Sequence, residues 1–250
     1  MHRFYLSSPP GSGTSLKLSD RETHHALHVL RVRDGERVVV LDGAGQELHC
    51  AVRLCAGDSI SMEVLERRLI SPLPYSITLL QALPKGKIIE DIIQKATELG
   101  VARIVPILSE RVVTHLDPAT AAAKAAKWQM IAIEAIKQCG NAWLPRVEQP
   151  MTPQAFLDRR EEFELPLIGC LESESRHPRE WFREFSHQNH RLPRSLCVWV
   201  GPEGDFTSAE YRAIKESGAR PITLGPLVLR TETAATFCLS VLNYELQAQP

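Results

Sequence analysis

The apolar positions of this chain change their period near residue 70. Before it they recur in short alternating runs, Arg37 to Leu41, Glu47 to Leu54 and Ser59 to Leu65, divided by Asp34-Gly35, Asp42-Gly43 and Gly57-Asp58. Alternation between turn residues predicts short strands. Ser19 with Glu22 three positions on is a capping-box signature and predicts a helix to about Leu30. One helix and a strand meander suit a small barrel. The prolines of Ser71-Pro72-Leu73-Pro74 interrupt the pattern and suggest a boundary, giving domains 1–72 and 73–250.

Downstream, strands and helices alternate. Ile77 to Leu83 reads as a strand and Lys87 to Leu99 as a helix with Ile88, Ile89, Ile92, Ile93 and Ala96 on one face, ended by Gly100. Val101 to Leu108 is the next strand. Asp117 before Pro118 predicts a helix start, with the helix running to about Cys139-Gly140, and Thr152-Pro153 predicts another. Strands at Leu165 to Leu171 and Leu196 to Val200 complete an α/β fold whose sheet is expected to be largely parallel.

Two glycine- and proline-rich loops, each running from an apolar strand into a helix, carry the candidate chemistry. The first, Gly201-Pro202-Glu203-Gly204-Asp205-Phe206, precedes a capping box of Thr207 and Glu210. Its glycines allow close backbone approach to a ligand or serve a tight turn at positive φ. The second runs from Leu224-Gly225-Pro226 to Leu229-Arg230 and enters a helix expected from Thr233 to Leu246, capped by Thr231 or Thr233. Glu232 suits the positive end of that helix. Arg230, between turn and cap, is a candidate clamp for an anionic or oxyanionic group. The helix carries apolar residues on more than one face, which predicts burial nearly all round, at a subunit interface or in the centre of the fold.

Composition changes little. Of 250 residues 44% are hydrophobic and 24% charged, ordinary for a soluble globular protein. The first 20 residues lack a signal-peptide core and no apolar run is long enough to span a membrane, so a cytoplasmic location is expected. The six cysteines form no C-x-x-C pair and read as reduced core thiols. His24 and His28 have helical metal-pair spacing but no acidic or cysteine partner, so no metal is expected. The net charge of −1 argues against a uniformly basic nucleic-acid surface, but not against local basic clusters.

The two loops resemble the cofactor loops of SPOUT RNA methyltransferases, and the whole chain resembles the ribosomal RNA small-subunit methyltransferase E family. The resemblance extends through Arg3-Phe4-Tyr5, His25, Val29-Leu30-Arg31, Asp42-Gly43, Lys85-Gly86, Glu90, Gln94-Lys95, Glu98-Leu99-Gly100-Val101, Ser109-Glu110-Arg111 and Lys127-Trp128. It implies a PUA-like RNA-binding domain, a SPOUT domain with a trefoil knot, and a homodimer with shared active sites. It implies methyl transfer from S-adenosylmethionine, without a metal, to N3 of a uridine in 16S rRNA of the small ribosomal subunit. Leu171, Glu172, Gly201, Pro202, Glu203, Gly204, Leu224, Gly225, Leu229, Thr231 and Thr233 are then the cofactor-binding candidates. Glu203 is a candidate for the ribose hydroxyls or a solvated loop carboxylate. Arg230 becomes the candidate oxyanion donor. Glu232 is a candidate base, with its helix-start position an equal structural reason. Arg3, His25, Arg31, Arg33 and Lys85 are the RNA-contact candidates.

The chain departs from the family pattern at Asp205, where a third loop glycine is common, at Ile88, where a lysine is usual, and at Asn141 and Trp143, where arginines often follow Gly140. A SPOUT enzyme acting on another RNA position and a non-catalytic RNA-binding protein remain as alternatives. A nucleotide-binding hydrolase is disfavoured, because neither G-x-x-x-x-G-K-[ST] nor G-x-G-x-x-G occurs.

Overall fold

A computed structural model describes the chain except residues 8–10, 12, 56–58, 112–116, 172–173 and 248–250. The described residues divide into two units. One comprises Met1–Pro72 with Ile133–Leu144, the other Leu73–Ala132 with Pro145–Pro250.

In the first unit β1 (Arg3–Tyr5), β2 (Ser15–Leu16), β3 (Arg37–Leu41), β4 (Gln46–Cys55) and β5 (Ser59–Leu69) form one sheet in the order β1-β3-β4-β5-β2. Phe4, Val38, Val40, Leu48, Val52 and Met62 alternate inward to make its core. β5 extends to Leu69 because Glu66 to Leu69 continue the antiparallel pairing with β4, although their polar composition breaks the hydrophobic alternation.

The expected N-terminal helix is two pieces, α1 (Asp20–His24) followed by a π-helical segment (His25–Leu30) that ends at Arg31 in the left-handed region, φ 51°. Of the expected capping box, Ser19 accepts the Glu22 N–H at 3.3 Å. The Glu22 carboxylate instead turns inward, buried, and accepts from Lys137 Nζ at 2.8 Å. Lys137 also pairs with Glu134 at 2.9 Å, so a charge that would be costly to bury alone is compensated. Arg3 donates to the Lys137 and Gln138 carbonyls at 3.2 and 3.0 Å. Ile136 and Ala142 pack with Val39 and Leu41. These contacts join Ile133–Leu144 to the N-terminal sheet.

The second unit contains β6 (Ser76–Ala82), α2 (Ile88–Glu98), β7 (Arg103–Ile107), α3 (Pro118–Cys139, its end belonging to the first unit), β8 (Arg146–Val147) and α4 (Pro153–Leu157). Then come β9 (Leu165–Gly169), α5 (Pro178–Asn189), β10 (Ser195–Val200), α6 (Ser208–Glu216), β11 (Arg220–Ile222) and α7 (Thr231–Gln247). The sheet order is β11-β9-β10-β6-β7-β8, and every strand pair in it is parallel. Its central strands β10, β6 and β7 are buried beyond their first residues, as a sheet clothed by crossover helices requires. Trp199 on β10 is 1% exposed and meets Phe156 and Phe206 edge-on.

Two features of this unit depart from expectation. The helix α5 has no counterpart in the sequence reading; its N-cap is His177, whose Nδ1 accepts the Arg179 N–H while Glu180 reaches back to the His177 N–H. The last helix begins at Thr231, not Thr233, and is not buried all round. Thr233, Phe237, Ser240 and Tyr244 form an exposed stripe, with Phe237 42% and Tyr244 65% exposed. Its other side is anchored by Asn243, which accepts from the Tyr75 hydroxyl at 2.8 Å and donates to the Leu99 carbonyl at 2.7 Å.

Cys50, Cys170, Cys197 and Cys238 are buried, whereas Cys55 and Cys139 are exposed, a correction to six core thiols. Burial pushes the Cys197 and Cys238 thiols up to about 12. No helix among the described residues is long and apolar enough to cross a membrane.

Candidate active site

Loops leaving the carboxyl ends of the three adjacent strands β9, β10 and β11 line a cavity that opens to solvent. This is where parallel α/β sheets place ligands. Eight of the cofactor candidates line it: Leu171, Gly201, Pro202, Glu203, Leu224, Gly225, Leu229 and Thr231. Gly204 and Thr233 do not; Gly204 faces Arg111, and Thr233 lies on the exposed stripe of α7. Glu172 lies outside the described residues. Asp205, marked in the sequence as a departure from the family pattern, lines it too; Gly169, Cys170, Val200, Leu227, Val228 and Ala234 also line it and had no individual signal, although most sit inside or beside the two loops.

The loop after β10 is tied on several sides. Glu203 Oε1 accepts the Lys85 N–H at 3.0 Å, and the Arg111 guanidinium donates to the Gly204 carbonyl. Thr207 and Glu210 form the expected reciprocal cap of α6, and Glu210 also accepts the Glu110 N–H at 2.9 Å. A carboxylate there satisfies helix-start donors and the positive end of the dipole. The loop's left-handed residue is Asp205, φ 61°, rather than either glycine. Aspartate tolerates that conformation, and its Oδ1 accepts the Phe206 N–H at 2.8 Å. Glycine at 201 suits the loop for another reason: a Cβ there would lie 2.7 Å from Asp205 Oδ1, which would have to move.

The loop after β11 is more open. Thr223 Oγ1 accepts the Gly225 N–H at 3.2 Å, with Gly225 at φ 107°. Leu227 and Val228 are 73% and 77% exposed. Arg230 is exposed and its carbonyl accepts the Ala234 N–H, so Arg230 is the last residue before the helix. Glu232 is half-buried in the first turn. Among the described residues no ion pair engages Arg230 or Glu232. Thr231 lies within α7 rather than capping it; its hydroxyl donates to the Gly201 carbonyl at 2.7 Å.

Glu203 and Asp205 are the charged side chains lining the cavity, so it favours a cationic ligand. Tyr211 approaches the Cys170 sulfur at 3.5 Å, and burial first, then the thiol, raises its pKa. It is held as a neutral donor and is no candidate base.

In the first unit Arg31 and Arg33 are exposed, and His25 is half-buried in the π-helical segment. The Arg3 guanidinium is committed to the end of α3 and lies over Gly140, where a Cβ would sit 2.7 Å from it. Lys85, in the second unit, has an exposed side chain above its bond to Glu203. The departures Asn141 and Trp143 are explained within the first unit. Asn141 accepts the Trp143 N–H, and the Trp143 indole donates to the Ile70 carbonyl while its ring fills the space beside Gly45. Ile88 is the half-buried first residue of α2. Among the described residues no group of three His, Cys, Asp or Glu side chains is placed to hold a metal.

A parallel sheet with a loop-lined cavity at its carboxyl edge, in a chain that also holds a small β unit, defines a class that comparison identifies. Residues 71–243 match the family model of the RNA methyltransferase domain, and residues 18–53 match that of the RNA methyltransferase PUA domain. The chain is 32% identical over 236 residues to Ribosomal RNA small subunit methyltransferase E of Bacillus subtilis, covering 93% of this chain and 91% of that protein. A methyltransferase structure from Legionella pneumophila, in complex with the bound cofactor SAM, is 32% identical with a TM-score of 0.86 over 97% of this chain and 96% of that one. The Neisseria gonorrhoeae Ribosomal RNA small subunit methyltransferase E structure, bound to S-adenosyl methionine, is 30% identical with a TM-score of 0.84, covering 98% and 97%. The chain belongs to the ribosomal RNA small subunit methyltransferase E family.

Proposed function

We propose that this protein is an S-adenosylmethionine-dependent methyltransferase that modifies N3 of a uridine in the 16S rRNA of the small ribosomal subunit, acting as a homodimer in the cytoplasm. The cavity at the ends of β9, β10 and β11 carries the reading, because relatives of 30% and 32% identity have structures with that cofactor bound. Its residues fit the group. Leu171, Leu224 and Leu229 offer apolar faces to a purine, and Glu203 and Asp205 complement a cation. Glu203 has one oxygen on the Lys85 N–H and a second for ribose hydroxyls. In this reading the loops belong to the trefoil knot of the SPOUT class.

The bound cofactor supplies a methyl group made electrophilic by its sulfonium. The protein's task is the acceptor: uracil N3 becomes nucleophilic as its proton leaves and charge collects on the flanking carbonyl oxygens. Among the described residues Arg230 has no competing ion pair, and it donates to that charge. Glu232, one helical position past Thr231, receives the proton. In the first unit Arg31, Arg33 and His25 contact phosphate, and Arg3 holds the end of α3. In the second unit Lys85 contributes its exposed ammonium. The exposed apolar Phe237 and Tyr244 of α7 support the dimer, since a face of that kind is normally covered.

The test is transfer of labelled methyl from S-adenosylmethionine to small subunits lacking the modification, followed by digestion and nucleoside identification. Labelled 3-methyluridine is expected. Label in another nucleoside overturns the position, and failure to bind the cofactor overturns the enzyme.

A further inference from the structure

Beneath the cavity lies a polar side chain that neither the loop motifs nor the proposed chemistry uses. Gln81, on β6, is fully buried at 0% exposure. It pairs in register with Val200, the residue before Gly201. Its Nε2 donates to its neighbour's carbonyl, Ala82 O, at 2.9 Å and to Thr231 Oγ1 at 3.0 Å. The Thr231 hydroxyl in turn donates to the Gly201 carbonyl at 2.7 Å. The Gln81 carbonyl oxygen has no partner among the described residues.

The direction of this relay is determined by its chemistry. A hydroxyl has one proton. The amide occupies a lone pair of Thr231 Oγ1 as donor, so that proton goes to Gly201. Reversing the amide would set its oxygen against the Ala82 carbonyl and against a hydroxyl whose proton is committed. The orientation leaves one buried acceptor unsatisfied, which opposes folding. An apolar side chain of similar shape would avoid that cost, so packing alone does not account for an amide here.

We propose that Gln81 is a positioning residue for cofactor binding, which fixes the relative placement of the two glycine loops by orienting the Thr231 hydroxyl onto Gly201. The proposal rests on the reading of the cavity as the cofactor site. Three strand ends are joined by it: β6 through Gln81, β10 through Gly201, and the loop after β11 through Thr231, where α7 begins. Without the amide donor Thr231 loses its bond to β6, and each loop can shift relative to the other.

Calorimetric titration of the full-length protein with S-adenosylmethionine, alongside urea unfolding, tests this. Gln81→Met and Thr231→Val are each expected to raise the Kd roughly tenfold, the effect of one or two lost hydrogen bonds on binding. The double variant should be no worse than about the poorer single one, because both break the same relay. Thr231→Ser keeps the hydroxyl and should bind within about twofold of the original protein. Backbone amide exchange in the unliganded Gln81→Met protein should rise at 201–206 and 224–231 while the centre of β10 stays protected. Gln81→Met binding unchanged, Thr231→Ser as impaired as Thr231→Val, or exchange rising uniformly across the sheet would each overturn the positioning role. If the original protein itself fails to bind, the reading of the cavity falls first and this role with it.

Discussion

The loop after β10 and the loop after β11 face the same cavity, yet they are built in opposite ways. Residues 201–210 are held by Lys85, Arg111, Glu110 and Thr231 through bonds to Glu203, Gly204, Glu210 and Gly201. Residues 223–230 carry the internal turn of Thr223 with Gly225, and expose Leu227, Val228 and Arg230. A wall with many cross-links can hold a cofactor in one geometry, because little ordering is left to be done on binding. An open wall leaves its side chains available to a substrate or a second subunit. The contrast teaches that the fixed loop is the place to look for cofactor affinity and the open loop for chemistry.

The largest expected effect breaks the open side alone. Arg230→Ala should lower methyl transfer by roughly 100- to 1000-fold, the usual cost of losing a donor to developing oxyanion charge, while the S-adenosylmethionine Kd changes by less than about threefold. Single-turnover transfer and calorimetry on the same preparation check it. An equal loss in both would place Arg230 on the cofactor and erase the division between the loops.

The fixed side has its own break point at Gly201. Gly201→Ala puts a Cβ 2.7 Å from Asp205 Oδ1, so either the loop or the aspartate must move. Cofactor affinity should fall by about 30- to 100-fold. Asp205→Gly removes the obstructing carboxylate and also suits a φ of 61°, so the Gly201→Ala, Asp205→Gly protein should recover most of the loss. No recovery would mean that the side chain of residue 205 is not what makes glycine necessary at 201.

Much of this contrast could be read before any coordinates. Glycine and proline mark the loops, Thr207 with Glu210 marks the start of α6, and the run Leu196 to Val200 marks the strand before them, since each signal is local and lies within a few residues. What remained hidden depends on partners far away in sequence. Glu22 resembles an ordinary capping residue until Lys137 comes beside it. Arg3 resembles a surface cation, but its guanidinium closes the end of α3. Gln81 gives no signal at all, since its meaning depends on Thr231, 150 residues on. The π-helical turn and the histidine cap of α5 escaped for another reason. Both use residues that propensity rules do not associate with those positions.

A smaller effect measures how strongly the fixed loop is held. Glu210 is buried and accepts from the Thr207 N–H at 2.9 Å, the Thr207 hydroxyl at 3.1 Å and the Glu110 N–H at 2.9 Å. Glu210→Ala removes all three and exposes the start of α6, so urea unfolding should show a loss of about 2 kcal/mol. Cofactor affinity should fall with it, because the loop loses its anchor at α6. A loss of stability with unchanged affinity would show that the cap serves α6 and not the cavity.

The smallest effect belongs to the equivalent bond on the open side. Thr223→Val removes an acceptor for the Gly225 N–H at 3.2 Å, but that turn stands near solvent, where water can replace the hydroxyl at little cost. Stability should change by no more than about 0.5 kcal/mol and the cofactor Kd by less than about threefold. Gly225 keeps its positive φ in either protein, and the backbone there is shaped by glycine more than by the threonine. If Thr223→Val instead matches Glu210→Ala in both readouts, then one exposed turn anchors its loop as firmly as the three bonds to Glu210 anchor the other, and the two walls of the cavity are equally fixed.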